Sequence, residues 1–247
     1  MSFYWRAEAA FVLAADSMGR KAIYTVVIIV AALPLFVAMT IEVVYRLEMS
    51  NTIKPISQPT PGWPQAVNDA IWASFNETAP IEVRPLMPWN IMMGFVFSRT
   101  SLGPGSKIAG YVAQHTLINA RVQVRMLYWH VKVLAMTIWL SRHWSAEEII
   151  AEAGRQLAIG GNIRGIVNAS DRLYGEDLSA LDPGSLAALL ALGVKGGGAV
   201  DEPQLLERRN RILRRMFENG SLDEDELHRA LAQPLRLRGS SGALLEN

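Results

Sequence analysis

The residues whose types and spacing suggest chemistry are cationic side chains between positions 107 and 132. They are Lys107, Arg121, Arg125, His130 and Lys132. If one helix spans this stretch, positions 121, 125 and 132 recur at spacings of four and seven and lie roughly on one face. Such a stripe can bind a pyrophosphate or an anionic lipid head group. The alternative is a solvated face opposite the apolar side of the same helix.

The composition excludes several other kinds of site. The 247 residues include no cysteine, which removes disulfides and thiolate nucleophiles. The four histidines show no H-E-x-x-H or similar spacing, so we expect no metal and no cofactor. The formal net charge of +1 gives no global field that would attract nucleic acid, and we expect none as a partner.

An uncharged segment near the N-terminus predicts a membrane anchor. Residues 22–41 read AIYTVVIIVAALPLFVAMTI, and a helix of this length spans the roughly 30 Å hydrocarbon layer. We place a cytoplasmic segment at 1–21 and the transmembrane helix at 22–45. Cationic residues before the span slightly outnumber those after it, which favours a cytoplasmic N-terminus. A buried soluble helix and a cleaved signal peptide are the alternatives.

The rest of the chain predicts a stalk, one helical domain and a tail. Residues 49–64 carry four prolines, which favour an extended segment, and we place the stalk at 46–63. From 64 to 238 apolar residues recur at three- and four-residue spacing, so the domain is expected to be mainly α. Residues 107–140 form one continuous helical pattern in this interpretation. The tail at 239–247 is expected to be disordered.

Helix boundaries are most clearly marked near the C-terminus. Asp182 followed by Pro183 predicts a helix start, and Asp223 with Glu226 resembles a capping box. The helix at 202–218 is expected to end at the following Asn-Gly pair.

Three stretches carry a resemblance to a known family. Residues 141–192 contain a Ser-Ala-Glu-Glu-Ile run and Gly-rich turns before a Leu-Tyr-Gly, and residues 205–237 begin with LLERRNRILRRM. The GSKI run at 105–108 with Gln114 is a partial third match. These stretches resemble the family 51 peptidoglycan glycosyltransferases, in particular their E-R-R-N-x-x-L-x-x-M phrase and their G-G-S-T-I-T-Q-Q motif. The likeness covers about residues 64–237.

The resemblance implies a lysozyme-like helical domain on a single N-terminal transmembrane helix, as in the monofunctional members of the family. It implies location at the cell inner membrane, with a periplasmic domain that binds lipid-linked glycan or peptidoglycan. The residues that it places at a substrate site are Ser106, Lys107, Gln114, Arg125, His130 and Lys132. Residues 88–97 (PWNIMMGFVF) lie where the family has a membrane-dipping flap, although a buried core segment is the simpler alternative.

The glutamates on which the family's catalysis depends are replaced in this alignment. In the family one glutamate acts as general base on the incoming sugar hydroxyl, and a second assists departure of the pyrophosphate. Here these positions fall on Phe75 and Val133. Because each such group commonly contributes about 10²–10⁴-fold, we expect a non-catalytic relative that binds lipid-linked glycan or a cell-envelope assembly partner.

Two other hypotheses remain open at this stage. An active polymerase would need a displaced base, for which Glu77, Glu82 and His130 are the candidates. A side chain two places along a helix points about 200° away, so Glu77 would need an irregular backbone to serve. Solvated surface carboxylates are the simpler interpretation of Glu77 and Glu82. The other hypothesis is a structural subunit of a membrane complex that makes no contact with glycan.

Overall fold

The computed structural model describes residues 24–25, 27–28, 32–50, 62–78, 80–96, 102–159, 163–193 and 201–235. These residues are mainly helical, as predicted. The helices are α1 (32–50), α2 (Gln65–Ser74), α3 (Pro88–Val96), α4 (Ser106–Asn119), α5 (Met126–His143), α6 (Ala146–Gln156), α7 (Ile166–Tyr174), α8 (Pro183–Gly193), α9 (Glu202–Glu218) and α10 (Glu224–Ala232). A 3-10 turn occupies Leu178–Ala180.

The core forms around α2 and α8, both of which are largely buried. Helix α2 contacts α6, α8 and α9, whereas α4 packs on α5 and α6. Along α8 every residue from Leu186 to Gly193 is buried, so this helix lacks the polar face of a surface helix. The arrangement places the C-terminal end of α2 beside the first turn of α4.

The predicted helix boundaries near the C-terminus are confirmed. An oxygen of Asp182 accepts hydrogen bonds from the first backbone N–H groups of α8. Asp223 and Glu226 form a capping box at the start of α10, with each side chain bonded to the other's backbone N–H. Helix α9 ends at Glu218, and Gly220 adopts the left-handed conformation expected after a helix.

The phrase LLERRNRILRRM is explained by packing within this fold. Arg209 is buried and donates hydrogen bonds to the carbonyl oxygens of Leu231 (3.1 Å) and Gln233 (2.7 Å) at the end of α10. Leu213 and Met216 lie in the core on the same helix. The phrase therefore joins α9 to α10 and stabilises the C-terminal part of the domain.

The prediction of a single helix over residues 107–140 is wrong. Helix α4 ends at Asn119, Arg121 adopts a positive φ of 52°, and Arg125 has extended backbone at the start of α5. The break lets α5 fold back on α4, so that both bury their apolar sides against each other. Arg121 and Arg125 are therefore not helical, and the predicted cationic stripe on one helical face does not form.

A short hairpin also interrupts the helices of this mainly α domain, and the sequence did not predict it. Strands β1 (Ala158–Ile159) and β2 (Ile163–Arg164) pair antiparallel, with Ala158 opposite Arg164. Two residues per strand are too few to produce an alternating pattern in the sequence.

Helix α1 continues further than the sequence predicted. Residues 46–50, which we assigned to the stalk, are helical, and Tyr45, Glu48 and Met49 are buried. Among the described residues, no helix is both long and apolar enough to cross a membrane. Parts of the predicted transmembrane helix, at 22–23, 26 and 29–31, lie outside the described residues. So do the N-terminal segment at 1–21, most of the stalk and the tail at 239–247.

Candidate functional site

The first turn of α4 meets the end of α2 at a buried carboxylate. Glu77 is only 4% exposed, and its Oε1 accepts a hydrogen bond of 3.2 Å from the backbone N–H of Lys107. The first N–H groups of a helix lack partners within the helix and carry partial positive charge, so an anionic acceptor is stabilised there. The Glu77 side chain is therefore not solvated at the surface, and its carboxylate is engaged in a hydrogen bond.

An irregular backbone directs Glu77 into this position. Helix α2 ends at Ser74, and Asn76 then adopts a positive φ of 55°. This turn rotates Glu77 inwards and brings the carbonyl oxygen of Asn76 within 3.0 Å of the ammonium group of Lys107. The backbone that the displaced-base hypothesis requires is thus present, although the carboxylate that it positions serves as a helix cap.

Phe75 packs against aromatic side chains of α4. Its ring lies edge-on to Tyr111, with 5.1 Å between centroids, and Tyr111 in turn contacts the ring of His115 at 4.2 Å. Burial lowers the pKa of His115, and the nearby Arg164 guanidinium lowers that pKa further. Burial likewise raises the pKa of Tyr111. The row of Phe75, Tyr111 and His115 is therefore uncharged near neutral pH.

Val133 also lies in apolar surroundings. It occupies the middle of α5 and packs, partly buried, against the hydrophobic core. Its side chain has no group that can transfer a proton. The two positions at which the family's glutamates would fall are thus both occupied by packed apolar side chains.

The structure brings only some of the predicted ligand-binding residues together. Ser106 is buried, and its hydroxyl donates to the carbonyl oxygen of Gly103 at 2.7 Å. Lys107 is exposed beside Glu77, whereas Gln114 is exposed two turns further along α4. Arg125, the residue before α5, and His130, in the first part of α5, are both exposed. Of the six predicted residues, only Ser106 and Lys107 are neighbours at the Glu77 turn.

Lys132 instead holds α1 against the domain. Its ammonium group lies 2.9 Å from an oxygen of Glu48, and the two side chains are 12% and 9% exposed. The Tyr128 hydroxyl also bonds to Glu48. Burial alone raises the pKa of Glu48, but these hydrogen bonds outweigh it and hold that pKa below its ordinary value. Lys132 is thus part of an internal contact.

A second ion pair joins the two helices about ten residues further along α5. The guanidinium of Arg142 donates to both carboxylate oxygens of Glu42, at 3.3 and 3.0 Å, and to the carbonyl oxygen of Leu86. The same guanidinium lies 4.7 Å from the centre of the Tyr45 ring. Because Glu42 pairs with Arg142 and Glu48 with Lys132, α1 and α5 run antiparallel.

Sequence reasoning missed this contact between helices. Glu42, Tyr45, Glu48 and Met49 recur at three- and four-residue spacing, which is a helical face with two acids. That pattern could have extended the helix beyond residue 45. Nothing in it identifies Lys132 and Arg142 as partners, because they are 84 and 100 residues away in the chain.

No protein-family model matches this sequence, and no curated protein matches it. A functional proposal therefore has to rest on the residues and their geometry.

Proposed function

We propose that this chain is a membrane-anchored, non-catalytic relative of the peptidoglycan glycosyltransferases that binds lipid-linked glycan in the periplasm. The observation that supports it most directly is that no acid is available at the positions where the resemblance would place the catalytic glutamates. Phe75 and Val133 are packed in apolar surroundings, and Glu77, the nearest carboxylate, is buried as the cap of α4. The roles that the family assigns to its two glutamates need an acid that reaches the substrate, and none of these three positions offers one.

Three exposed groups remain for an anionic ligand. Lys107 lies at the start of α4, Arg125 immediately precedes α5, and His130 is on its first turns. A pyrophosphate carries negative charges that Lys and Arg side chains bind through charge-assisted hydrogen bonds. Because α5 folds back on α4, Lys107 lies at the opposite end of this helix pair from Arg125 and His130. We therefore retain Arg125 and His130 for one ligand, since Lys132 pairs with Glu48 inside the protein.

The membrane anchor is supported by the exposed surface of α1. Its described residues before Glu42 include Leu33, Leu35, Phe36 and Met39, all with large exposed apolar side chains. An exposed apolar surface of this kind is unfavourable in water and favourable in lipid. Since Glu42 pairs with Arg142 of the domain, we propose that the span ends at residue 41.

Helix α3 supports a membrane-facing position of the domain. Trp89 and Met93 are exposed, while Ile91 between them is buried in the core. The segment is therefore neither wholly core nor wholly surface. Because Leu86, just before α3, bonds to Arg142 next to Glu42, the exposed side of α3 begins close to the proposed membrane surface.

The test uses the full chain in detergent and a labelled lipid-linked disaccharide. We expect saturable binding without any polymer, and binding should weaken in Arg125→Glu. Arg214→Glu is the matched control, because Arg214 is an exposed arginine on α9. Absence of binding to wild-type protein, or equal binding by both variants, would refute the proposal.

Polymer formation would support the second candidate, an active enzyme that uses Glu77. The irregular backbone at Asn76 favours that candidate. Glu77→Gln retains an acceptor for the Lys107 N–H, so the fold is expected to survive and only proton transfer is removed. Polymerisation that is lost in Glu77→Gln would establish the enzyme, and no turnover in either protein excludes it.

The third candidate, a structural subunit of an envelope complex, is favoured by the start of α5. Met126 and Leu127 are each 80% exposed there, which is unusual for adjacent large apolar residues. That candidate requires no glycan affinity. It is supported if the wild-type chain fails to bind lipid-linked disaccharide and Leu127→Ser disrupts its association with an envelope partner.

A further inference from the structure

A groove runs along one face of α2 and borders the backbone of the Glu77 turn, where the lining Asn219 donates a hydrogen bond to the Glu77 carbonyl oxygen. Gln65, Asn68, Asp69 and Trp72 recur at three- and four-residue spacing and form its wall. It consists of two adjoining hollows of about 260 and 460 Å³ that share Gln65 and Ile81. Ligand-binding pockets commonly have volumes of about 300–1,000 Å³, so the groove is large enough for a small ligand.

The two ends of the groove come from distant parts of the chain. Ser145 and Glu147, at the start of α6, line one end. Asn219 and Ser221, in the turn after α9, line the other. The groove thus depends on the tertiary packing of α2 against α6 and α9.

The lining of the groove offers both acceptors and donors, and its charged side chains, Asp69 and Glu147, are acidic. The amide nitrogen of Gln65 donates a hydrogen bond to one oxygen of Asp69 at 2.7 Å. The amide oxygen of Gln65 and the second oxygen of Asp69 can then accept from other donors. One N–H of the Asn68 amide donates to the carbonyl oxygen of Trp63, and Glu147 adds a further carboxylate. None of the described residues that line the two hollows is Lys or Arg.

We propose that this groove binds a neutral oligosaccharide. Sugar hydroxyls supply donors to amide and carboxylate oxygens, and the apolar face of a sugar ring can lie against the partly exposed Ile81. An anionic ligand is disfavoured by the two carboxylates, Asp69 and Glu147, and by the lack of a lining cation. Neither Arg125 nor His130, the residues proposed to bind the lipid-linked ligand, lines the groove.

In the test, neutral tetramers of glucose and of N-acetylglucosamine are titrated into the full chain in detergent. Binding is measured by calorimetry. We expect binding of at least one tetramer. Gln65→Met removes the amide at constant size and should weaken binding about threefold to tenfold, the equivalent of one hydrogen bond. Ile81→Trp should abolish binding, because it fills the junction of the two hollows.

The matched control is Gln204→Met. Gln204 also starts a helix and donates to an aspartate, Asp201, but it lies outside the groove, so binding should be unchanged. Binding of neither tetramer, or equal affinity of Gln65→Met and wild type, would overturn the proposal. Binding of an oligolysine peptide in place of both sugars would overturn it as well, since it would show a cation site.

Binding of lipid-linked disaccharide is measured separately with Arg125→Glu. If soluble tetramers bind and depend on Gln65 while the lipid-linked ligand does not bind, the groove stands and the proposed function fails. The reverse result rejects the groove and leaves the proposed function intact.

Discussion

Replacement of Lys132 by methionine tests whether ion pairs attach α1 to the domain. Removing one partner of a buried ion pair costs about 3–5 kcal/mol, whereas an exposed pair contributes about 0.2–1 kcal/mol. The side chains of Lys132 and Glu48 are only 12% and 9% exposed, so the pair is largely removed from water. The Tyr128 hydroxyl still bonds to Glu48 in the variant and offsets part of the loss. We expect the free energy of separating α1 from α5 to fall by about 2–3 kcal/mol.

Amide hydrogen exchange of residues 42–50 in the full chain measures this free energy. A loss of about 2–3 kcal/mol corresponds to roughly 30- to 160-fold faster exchange of protected amides. In Lys132→Met combined with Glu48→Leu, exchange should return towards wild type. The reason is that an apolar pair of similar volume often replaces a buried ion pair without loss of stability.

The control is Glu207→Gln on α9. Glu207 pairs with Arg211, and the side chains of Arg211 and Glu207 are 54% and 70% exposed. This variant should change stability by less than about 0.5 kcal/mol. If Lys132→Met changes the exchange of 42–50 no more than Glu207→Gln does, the ion pair does not hold α1 and the reasoning is refuted.

Three further predictions follow from the same structure. The pKa of Glu48 is lowered in the folded protein, so its contribution to α1 docking is constant above pH 4.5 and is lost as the pH falls through the folded-state pKa. Amide hydrogen exchange of residues 42–50, measured from pH 3 to 6, would show this loss. Arg209→Met leaves the carbonyl groups at the end of α10 without donors and should lower the free energy of unfolding in urea by about 2–3 kcal/mol. Gly154→Ala should destabilise the protein by about 1–3 kcal/mol and shift the fluorescence of Trp63, because the added Cβ would overlap the Trp63 ring. This cost outweighs the better helix propensity of alanine.

The local sequence was sufficient for much of the helical architecture. Hydrophobic spacing gave the mainly helical content, and side-chain caps gave the starts of α8 and α10. These features depend on interactions over three or four residues, which a sequence displays directly. The break between α4 and α5 was not predicted, because residues 120–125 contain no Gly or Pro and continue an apolar pattern. It forms because α5 gains more from packing on α4 than from extending it.

The candidate site was only partly accessible from the sequence. The sequence alone shows apolar residues, Phe75 and Val133, where the resemblance would place acids, and helix geometry shows that Glu77 would need an irregular turn to serve as a base. The cap that Glu77 forms on α4 does not follow, since its partner, Lys107, is 30 residues away.

By itself, the sequence determined which segments are apolar, where α8 and α10 begin and α9 ends, and which residue types are available for chemistry. The tertiary structure decided what the charged residues do. In the folded chain, Lys132 and Arg142 pair with acids of α1. Glu77 caps the start of α4, and Arg209 donates to the end of α10. The physical reason is desolvation: a polar group that leaves water needs a partner, and only the folded chain brings one within hydrogen-bonding distance.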